Sequence, residues 1–367
     1  MAIDSPLNPR DRKWKTVLSI ALIVSIVLLS IRSSAAVFSP ALNSDNAVHV
    51  LMAYHLKLPD DLYYWGQDRL GSIVPILSHF LLKILPLPVV TVVSIVQYAL
   101  LIFGYLCFAS LLRHTVLHLA LALVWFLPLR SFGVLNFIGQ PYGPQMALVG
   151  AACVAIDRRT QAKTLHSKRL WLAIATTCLL LSLWISDFSI VILFLLGLWG
   201  LWQLYRAGQT NLQLVRWDAA IVLLIAGLGF AFIQFAKSQV SSRQNYGAFA
   251  TPAQTIDMIG RLLTSIWRTM TFRADNPFLS LHSLLAIALL GYLSWAIAAH
   301  RQKVLQSVSH WFYLFLGTAI VGLPLLLISF WVYRNGVNLR YFTVTYVSLW
   351  LAVLFLIDSL PAAIAQR

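Results

Sequence analysis

The chain has 367 residues, of which 59% are hydrophobic and only 11% charged, with a mean hydropathy of +0.78. Soluble domains carry about 25% charged residues, so this composition excludes a soluble globular protein and indicates a polytopic membrane protein. The formal charge is +15 and all twelve acids are Asp; in such a chain the excess first reflects basic cytoplasmic loops, and no nucleic-acid partner is expected.

The first apolar run, 14–37, follows Arg10, Arg12, Lys13 and Lys15. It is longer than the core of a signal peptide, so a retained span with a cytoplasmic N-terminus is expected. A polar stretch over 38–72 then gathers Asp45, Asp60, Asp61 and Asp68. In it, Ser44-Asp45 precedes AVHVLMAYHL, where Val48, Leu51, Met52 and His55/Leu56 have the spacing of an amphipathic surface helix. Ser44 or Asp45 is the expected cap. With Ser44 as cap, Asp45 is left at the mouth of the bundle, where it could take a proton from an acceptor hydroxyl or amine.

The loop continues as PDDLYYWGQDRLGS. Tyr63, Tyr64 and Trp65 alone would read as an interfacial aromatic belt; Asp68-Arg69, set between two glycines, adds an adjacent acid and base. The segment 71–85 is about 15 residues long, short of the roughly 20 that a span needs, and Ser72, His79 and Lys83 share one helical face. It is read as an interfacial helix.

Nine further apolar runs follow, at roughly 88–112, 115–133, 141–157, 170–186, 188–205, 217–236, 281–299, 311–332 and 341–360. The expected fold is all-α: one polytopic transmembrane helical bundle over 1–367, with about ten spans and juxtamembrane helices in the first outer loop. The short loops holding Arg113, Arg158, Arg159, Lys163, Lys168, Arg169, Arg206, Arg216, Arg301 and Lys303 then lie on the cytoplasmic side with both termini, as in a bacterial plasma membrane. The long outer segments are 38–87 and 237–280, and any chemistry is extracytoplasmic.

Between the spans, LRSFGVLNFIGQPYGPQMA is broken by Gly139, Pro141, Gly143 and Pro144, and offers Gln140, Tyr142 and Gln145 as uncharged partners for sugar hydroxyls. Asp187 stands alone in LWISDFSIVILF, either as a functional acid at membrane depth or as a cap on the following span. TPAQTIDMIGRLLTSIWRTMTFRAD predicts an amphipathic helix with Asp257, Arg261, Thr264 and Arg268 opposite Ile256, Ile259, Leu263, Trp267 and Met270. Arg261, Arg268 or Arg273 there suits a lipid phosphate. In VYRNGVNLRYF, Arg334 and Arg340 sit at the outer end of the last two spans, against the charge bias, and Arg340 is the stronger phosphate candidate.

Cys107, Cys153 and Cys178 all lie in apolar runs, so neither a disulfide framework nor a metal cluster is expected. There is no Walker loop, GxGxxG, HExxH, CxxC or GxSxG, which removes support for nucleotide-driven transport and soluble-type catalysis.

The order of one span, an outer loop bearing Asp45, an interfacial helix at 71–85, a second outer loop at 237–280 and a terminal Arg340-Tyr341-Phe342 resembles the GT-C superfamily of integral-membrane glycosyltransferases. The similar branch includes protein O-mannosyltransferases and lipid A aminoarabinose transferases. The resemblance implies a polyprenyl-phosphate-linked sugar donor taken from the outer leaflet and an inverting transfer to a lipid, glycan or protein acceptor. Asp45 is then the general base, with Asp68 and Asp187 as further catalytic candidates. Arg340, Arg334, Arg261, Arg268 and Arg69 would hold the donor phosphate, and Gln140, Tyr142, His49 and Tyr64 would contact sugar or acceptor. This chain has Ser44-Asp45-Asn46 where relatives commonly carry an Asp-Glu pair. No DxD pair is present, so a divalent metal would need Asp45 brought beside Asp68 or Asp187; no other cofactor is expected. The competing reading is a transporter or flippase for a lipid-linked or anionic substrate, which calls for charges or broken helices near mid-membrane. An acyl- or phospho-transferase would need partners for His49 or His55 that the sequence does not offer.

Lys163→Cys in a cysteine-free background is expected to react with a membrane-impermeant maleimide from the cytoplasmic side only. Labelling from outside would make 71–85 a span and invert the order of everything after it.

Overall fold

Each of the ten apolar runs becomes a helix, and the interruptions between them are where the polar cavity forms. The structure, a computed structural model, describes residues 9–38, 43–207, 212–240, 247–270 and 281–365, and among these there is no strand. In chain order the helices are α1 (Pro9–Ser34), α2 (Ser44–Tyr54), α3 (Ile73–Leu82), α4 (Val89–Ser110), α5 (Thr115–Phe126), α6 (Tyr142–Gln161) and α7 (Leu165–Ile185). They continue with α8 (Ser189–Ala207), α9 (Leu212–Ser238), α10 (Pro252–Met270), α11 (Leu281–Ser307), α12 (His310–Leu327), α13 (Phe330–Arg334) and α14 (Thr343–Ala365).

Six of these carry segments long and apolar enough to cross a membrane, in α1, α4, α7, α9, α12 and at Leu339–Leu360. The other four expected spans are shorter or more polar. α5 stops at Phe126 because Leu127 precedes Pro128 and leaves the helical region at ψ 55°. α8 and α11 have apolar cores of Ser189–Gln203 and Leu284–Ala296, and α6 carries Asp157, Arg158 and Arg159 in its last turns. Pro324 lies inside α12, which ends at Leu327, and the expected run 311–332 is divided there, with α13 as a separate turn.

α3 has ten residues, or about 15 Å at 1.5 Å per residue, half of the roughly 30 Å of a bilayer core. Its polar stripe is divided: Ser72 is buried and His79 Nδ1 is 3.0 Å from the Ala53 carbonyl at the end of α2, whereas Lys83 is exposed, with its Nζ 5.2 Å from the Phe80 ring centroid. Leu77, Phe80 and Ile84 are left exposed. α2 also differs from expectation. Its inward face is Asn46, His49, Met52 and Ala53, whereas Leu51 points out, so two polar residues replace part of the apolar stripe.

The core lies between α4, α5, α6, α12 and α14, where Phe108, Trp125, Phe315 and Phe355 interlock; Phe315 and Phe355 stack with centroids 5.9 Å apart. α14 is the most enclosed span, with 78% of its apolar window buried, whereas α1 and α9 bury 11% and present the rest outward. A second cluster forms where Met258 and Leu262 of α10 meet Val332, Val337, Leu339 and Phe342.

One buried acid closes the end of the bundle remote from the polar loops. Asp358 Oδ1 accepts the Arg113 and His114 backbone N–H groups at 2.9 and 3.2 Å, so α14 caps the α4–α5 turn. Asp358→Ala is expected to lower unfolding stability by about 1–3 kcal/mol, the cost of orphaning buried donors, and Asp358→Asn by less. An unchanged unfolding midpoint in Asp358→Ala would remove this role.

Candidate functional site

The site begins at the start of α2. Asn43 caps that helix, its side chain accepting the Asn46 N–H at 2.8 Å. Neither Ser44 nor Asp45 does so, contrary to the sequence expectation. Asp45 occupies the first turn, where the helix dipole favours an acid. Its Oδ1 accepts the Tyr64 hydroxyl at 3.3 Å and its Oδ2 accepts the Gln140 side-chain N–H at 2.8 Å. Among the described residues no ion pair reaches it.

Each of these partners is placed by a local backbone device. Tyr64 lies in a hairpin-like turn: its N–H donates to the Leu70 carbonyl at 2.8 Å, and Tyr63 pairs with Gly71. Leu70 pairs in turn with Ser186 and the Gly71 N–H reaches the Ile185 carbonyl at 3.2 Å, which pins the first loop to the α7–α8 turn. Gln140 follows Gly139, whose φ of +82° favours glycine and where a Cβ would fall 2.6 Å from the Asp45 carbonyl. The 136–141 loop therefore rests directly on the first turn of α2.

A cavity of about 280 Å³ results, lined by Asp45, Tyr64, Arg69, Gln140, Tyr142, Asp187 and Arg340 together with aromatic and small residues. The Arg340 guanidinium donates to the Tyr341 hydroxyl at 3.0 Å and lies 5.0 Å over that ring. Its backbone is fixed on both sides, the N–H donating to Asn338 Oδ1 and the carbonyl accepting from Thr343. Arg69 lies 5.0 Å over the Trp331 ring. Such cation–π contacts orient a guanidinium without neutralising it. The Asp187 carboxylate receives Lys237 Nζ at 3.3 and 3.4 Å instead of capping the following helix. Burial raises its pKa above the ordinary carboxylate value, and Lys237 opposes that rise. Burial and the Asp45 carboxylate push the Tyr64 phenol up, keeping it a donor.

The remaining candidates lie elsewhere. Asp68 is off the cavity, its Oδ1 buried without a hydrogen-bond partner, and the expected Asp68-Arg69 unit is divided because Arg69 turns to Trp331. Arg334 is exposed at the end of α13. Arg261 is engaged by Asp257 at 2.7 Å, one turn earlier on α10. Arg268 lies on the last turns of α10 with its side chain outside the described set, and Arg273 and Asp275 lie outside the described residues. His49 is buried against Tyr64, ring centroids 5.1 Å apart, so it backs the cavity without lining it. Asp61 accepts the Lys57 N–H and the Trp65 indole N–H at 2.7 and 2.6 Å, a fold-holding role.

Sequence reasoning missed Trp331, Tyr341, Ser186, Ser329 and Lys237. Tyr341 was recoverable as the neighbour of Arg340; nothing in the sequence pointed to Trp331. Among the described residues no group of three or more His, Cys, Asp or Glu side chains could hold a metal ion, so Asp45 and Asp187 share a cavity without forming a ligand set. Comparison of the chain with family models, curated proteins and solved structures finds no match in any of the three.

Burial lowers the His49 pKa to about 4 from 6.5, so the native state holds this imidazole neutral. An unfolded chain binds the proton below 6.5, and stability is therefore lost as pH falls from 6.5 towards 4, by up to about 3 kcal/mol. His49→Leu is expected to flatten that part of the stability–pH curve. A curve as steep as that of the unmodified chain would show that His49 does not carry the dependence.

Proposed function

We propose that this protein is a membrane glycosyltransferase, which moves a sugar from a polyprenyl-phosphate donor to a lipid, glycan or protein acceptor at the extracytoplasmic face. One observation carries the reading: Asp45, a carboxylate that among the described residues is held by neutral donors, shares a cavity with two ring-oriented guanidiniums, Arg69 and Arg340. Direct displacement at an anomeric carbon needs those two elements. Asp45 accepts the proton of the attacking hydroxyl or amine as the new glycosidic bond forms. The bond from the anomeric carbon to the phosphate oxygen breaks, and the departing phosphate anion is stabilised by Arg69 and Arg340. The phosphate also meets the start of α6, whose first turn has no side-chain cap.

Gln140, Tyr142 and Tyr64 supply neutral groups for sugar hydroxyls, and Asp187 with Lys237 edges the acceptor side. About ten helices form the surrounding bundle, with α2 and α3 lying at the outer surface. The cavity's charged groups gather at loop-bearing helix ends, which favours an enzyme over a transporter, whose site belongs near mid-membrane.

The test is release of polyprenyl phosphate from a panel of radiolabelled polyprenyl-phosphate sugars by purified protein. Asp45→Asn is expected to lower release about 10²–10⁴-fold with folding intact, and Arg340→Ala chiefly to weaken donor binding. Near-normal turnover in Asp45→Asn would sink the base assignment; an unchanged donor response in Arg340→Ala would move the phosphate elsewhere.

A further inference from the structure

The helix pair that edges the polar cavity carries a second cavity at its other end. α8 and α12 run antiparallel: a Cβ at Gly322 would fall 2.5 Å from the Phe188 ring, one at Gly317 would fall 3.3 Å from Leu195, and Trp199 stacks on His310 with centroids 5.3 Å apart. Below those contacts a space of about 310 Å³ opens between the two helices. Its polar lining is Trp199, Trp202, Gln203, His310, Trp311 and Tyr313. Every one of these side chains can donate a hydrogen bond and none is an acid. Asp157, whose field reaches His310, lies outside the lining and accepts from Gln161.

Two further features specify the occupant. Trp202 and Tyr313 are half-exposed, and beside them Leu198 and Leu201 of α8 and Ile320 of α12 present apolar surface outward, so the cavity opens to lipid. The chain ends around it are basic. Arg206 is the penultimate residue of α8, and α11, joined to α12 by only Val308 and Ser309, carries Arg301 and Lys303 in its final turns. Indole rings belong at headgroup depth, and basic residues in the last turns of helices that end there attract anionic lipid.

We propose that this cavity binds an anionic glycerophospholipid, with the phosphate and ester oxygens against the Trp199, Trp202 and Gln203 donors and the acyl chains along the outward faces of α8 and α12. The site is separate from the polar cavity and does not depend on the transferase reading.

Native mass spectrometry of the full chain, with phosphatidylglycerol and phosphatidylcholine of identical acyl chains, tests it. The unmodified protein is expected to retain one phosphatidylglycerol about fivefold or more over phosphatidylcholine, and Trp202→Ala and Gln203→Leu to lose that preference. Equal retention of the two lipids, or undiminished preference in both variants, overturns the proposal. Both positions are exposed; should Trp202→Ala fail to fold, the near-isosteric Gln203→Leu decides alone. Displacement of the lipid by millimolar glycerol phosphate would show that the site reads a free phosphate ester, and would overturn the lipid assignment.

Discussion

The polar cavity depends on one close approach, the contact between Gly139 and the peptide of Asp45. A side chain at 139 would meet the Asp45 carbonyl at 2.6 Å, and its backbone would have to hold a φ of +82°. Only without a Cβ can the 136–141 loop settle on α2 and bring the Gln140 amide onto the Asp45 carboxylate. The loop is anchored from beneath as well. Asn136 is buried and donates to the Phe126 carbonyl at 2.7 Å and to Ser30 at 3.4 Å, tying it to α5 and α1. The loop is thus clamped between the bundle and α2, and Asp45 is positioned by the same clamp.

The rest of the cavity is assembled from short backbone pairings in place of regular strands. Leu70 with Ser186 and Phe249 with Ser329 join loops to helix ends more than seventy residues away in sequence. Ala250 N–H to the Ile328 carbonyl and Phe330 N–H to the Ala248 carbonyl extend the second of these. Irregular backbone near a membrane must find partners for its N–H and C=O groups, and these pairings provide them while carrying Arg69, Asp187 and Trp331 to a common wall. Gly71 has the same role as Gly139 at the other edge, since a Cβ there would meet the Trp184 carbonyl at 2.7 Å.

Long-period features were legible in the sequence. The ten apolar runs all fall on helix because apolar content over fifteen or more residues is a property of the whole segment, although the run 311–332 is divided and six of the helices are long and apolar enough to cross a membrane. Ends were less legible, although Pro128 and Pro324 marked two of them in plain view. For the site, Asp45, Arg340, Gln140 and Tyr142 could be chosen from their residue type at a break between spans. The engagement of Arg261 was also legible, since Asp257 stands four positions earlier, the spacing of an intrahelical ion pair. The face of α2 was not readable: burying Asn46 and His49 is decided by Asn43, Tyr64 and the loop above them, none of which enters an amphipathic pattern. Trp331 reaches the cavity, and Lys237 reaches Asp187 at its edge, only through tertiary contact.

How the charges are held bears most directly on what the cavity can do. In a space this small, an acid and a guanidinium free to meet would form an ion pair, and a ligand would have to break it. Here Asp45 is satisfied by a phenol and an amide, while Arg340 is steadied by the adjacent Tyr341 through both its hydroxyl and its ring. Asp187, the second acid, is drawn outward by Lys237 from the end of α9. Opposite charges therefore share one cavity, and among the described residues no ion pair joins Asp45 to Arg340. On the proposed transferase reading, preorganised charge of this kind suits a reacting centre that loses a proton at one point and releases a negative charge at another.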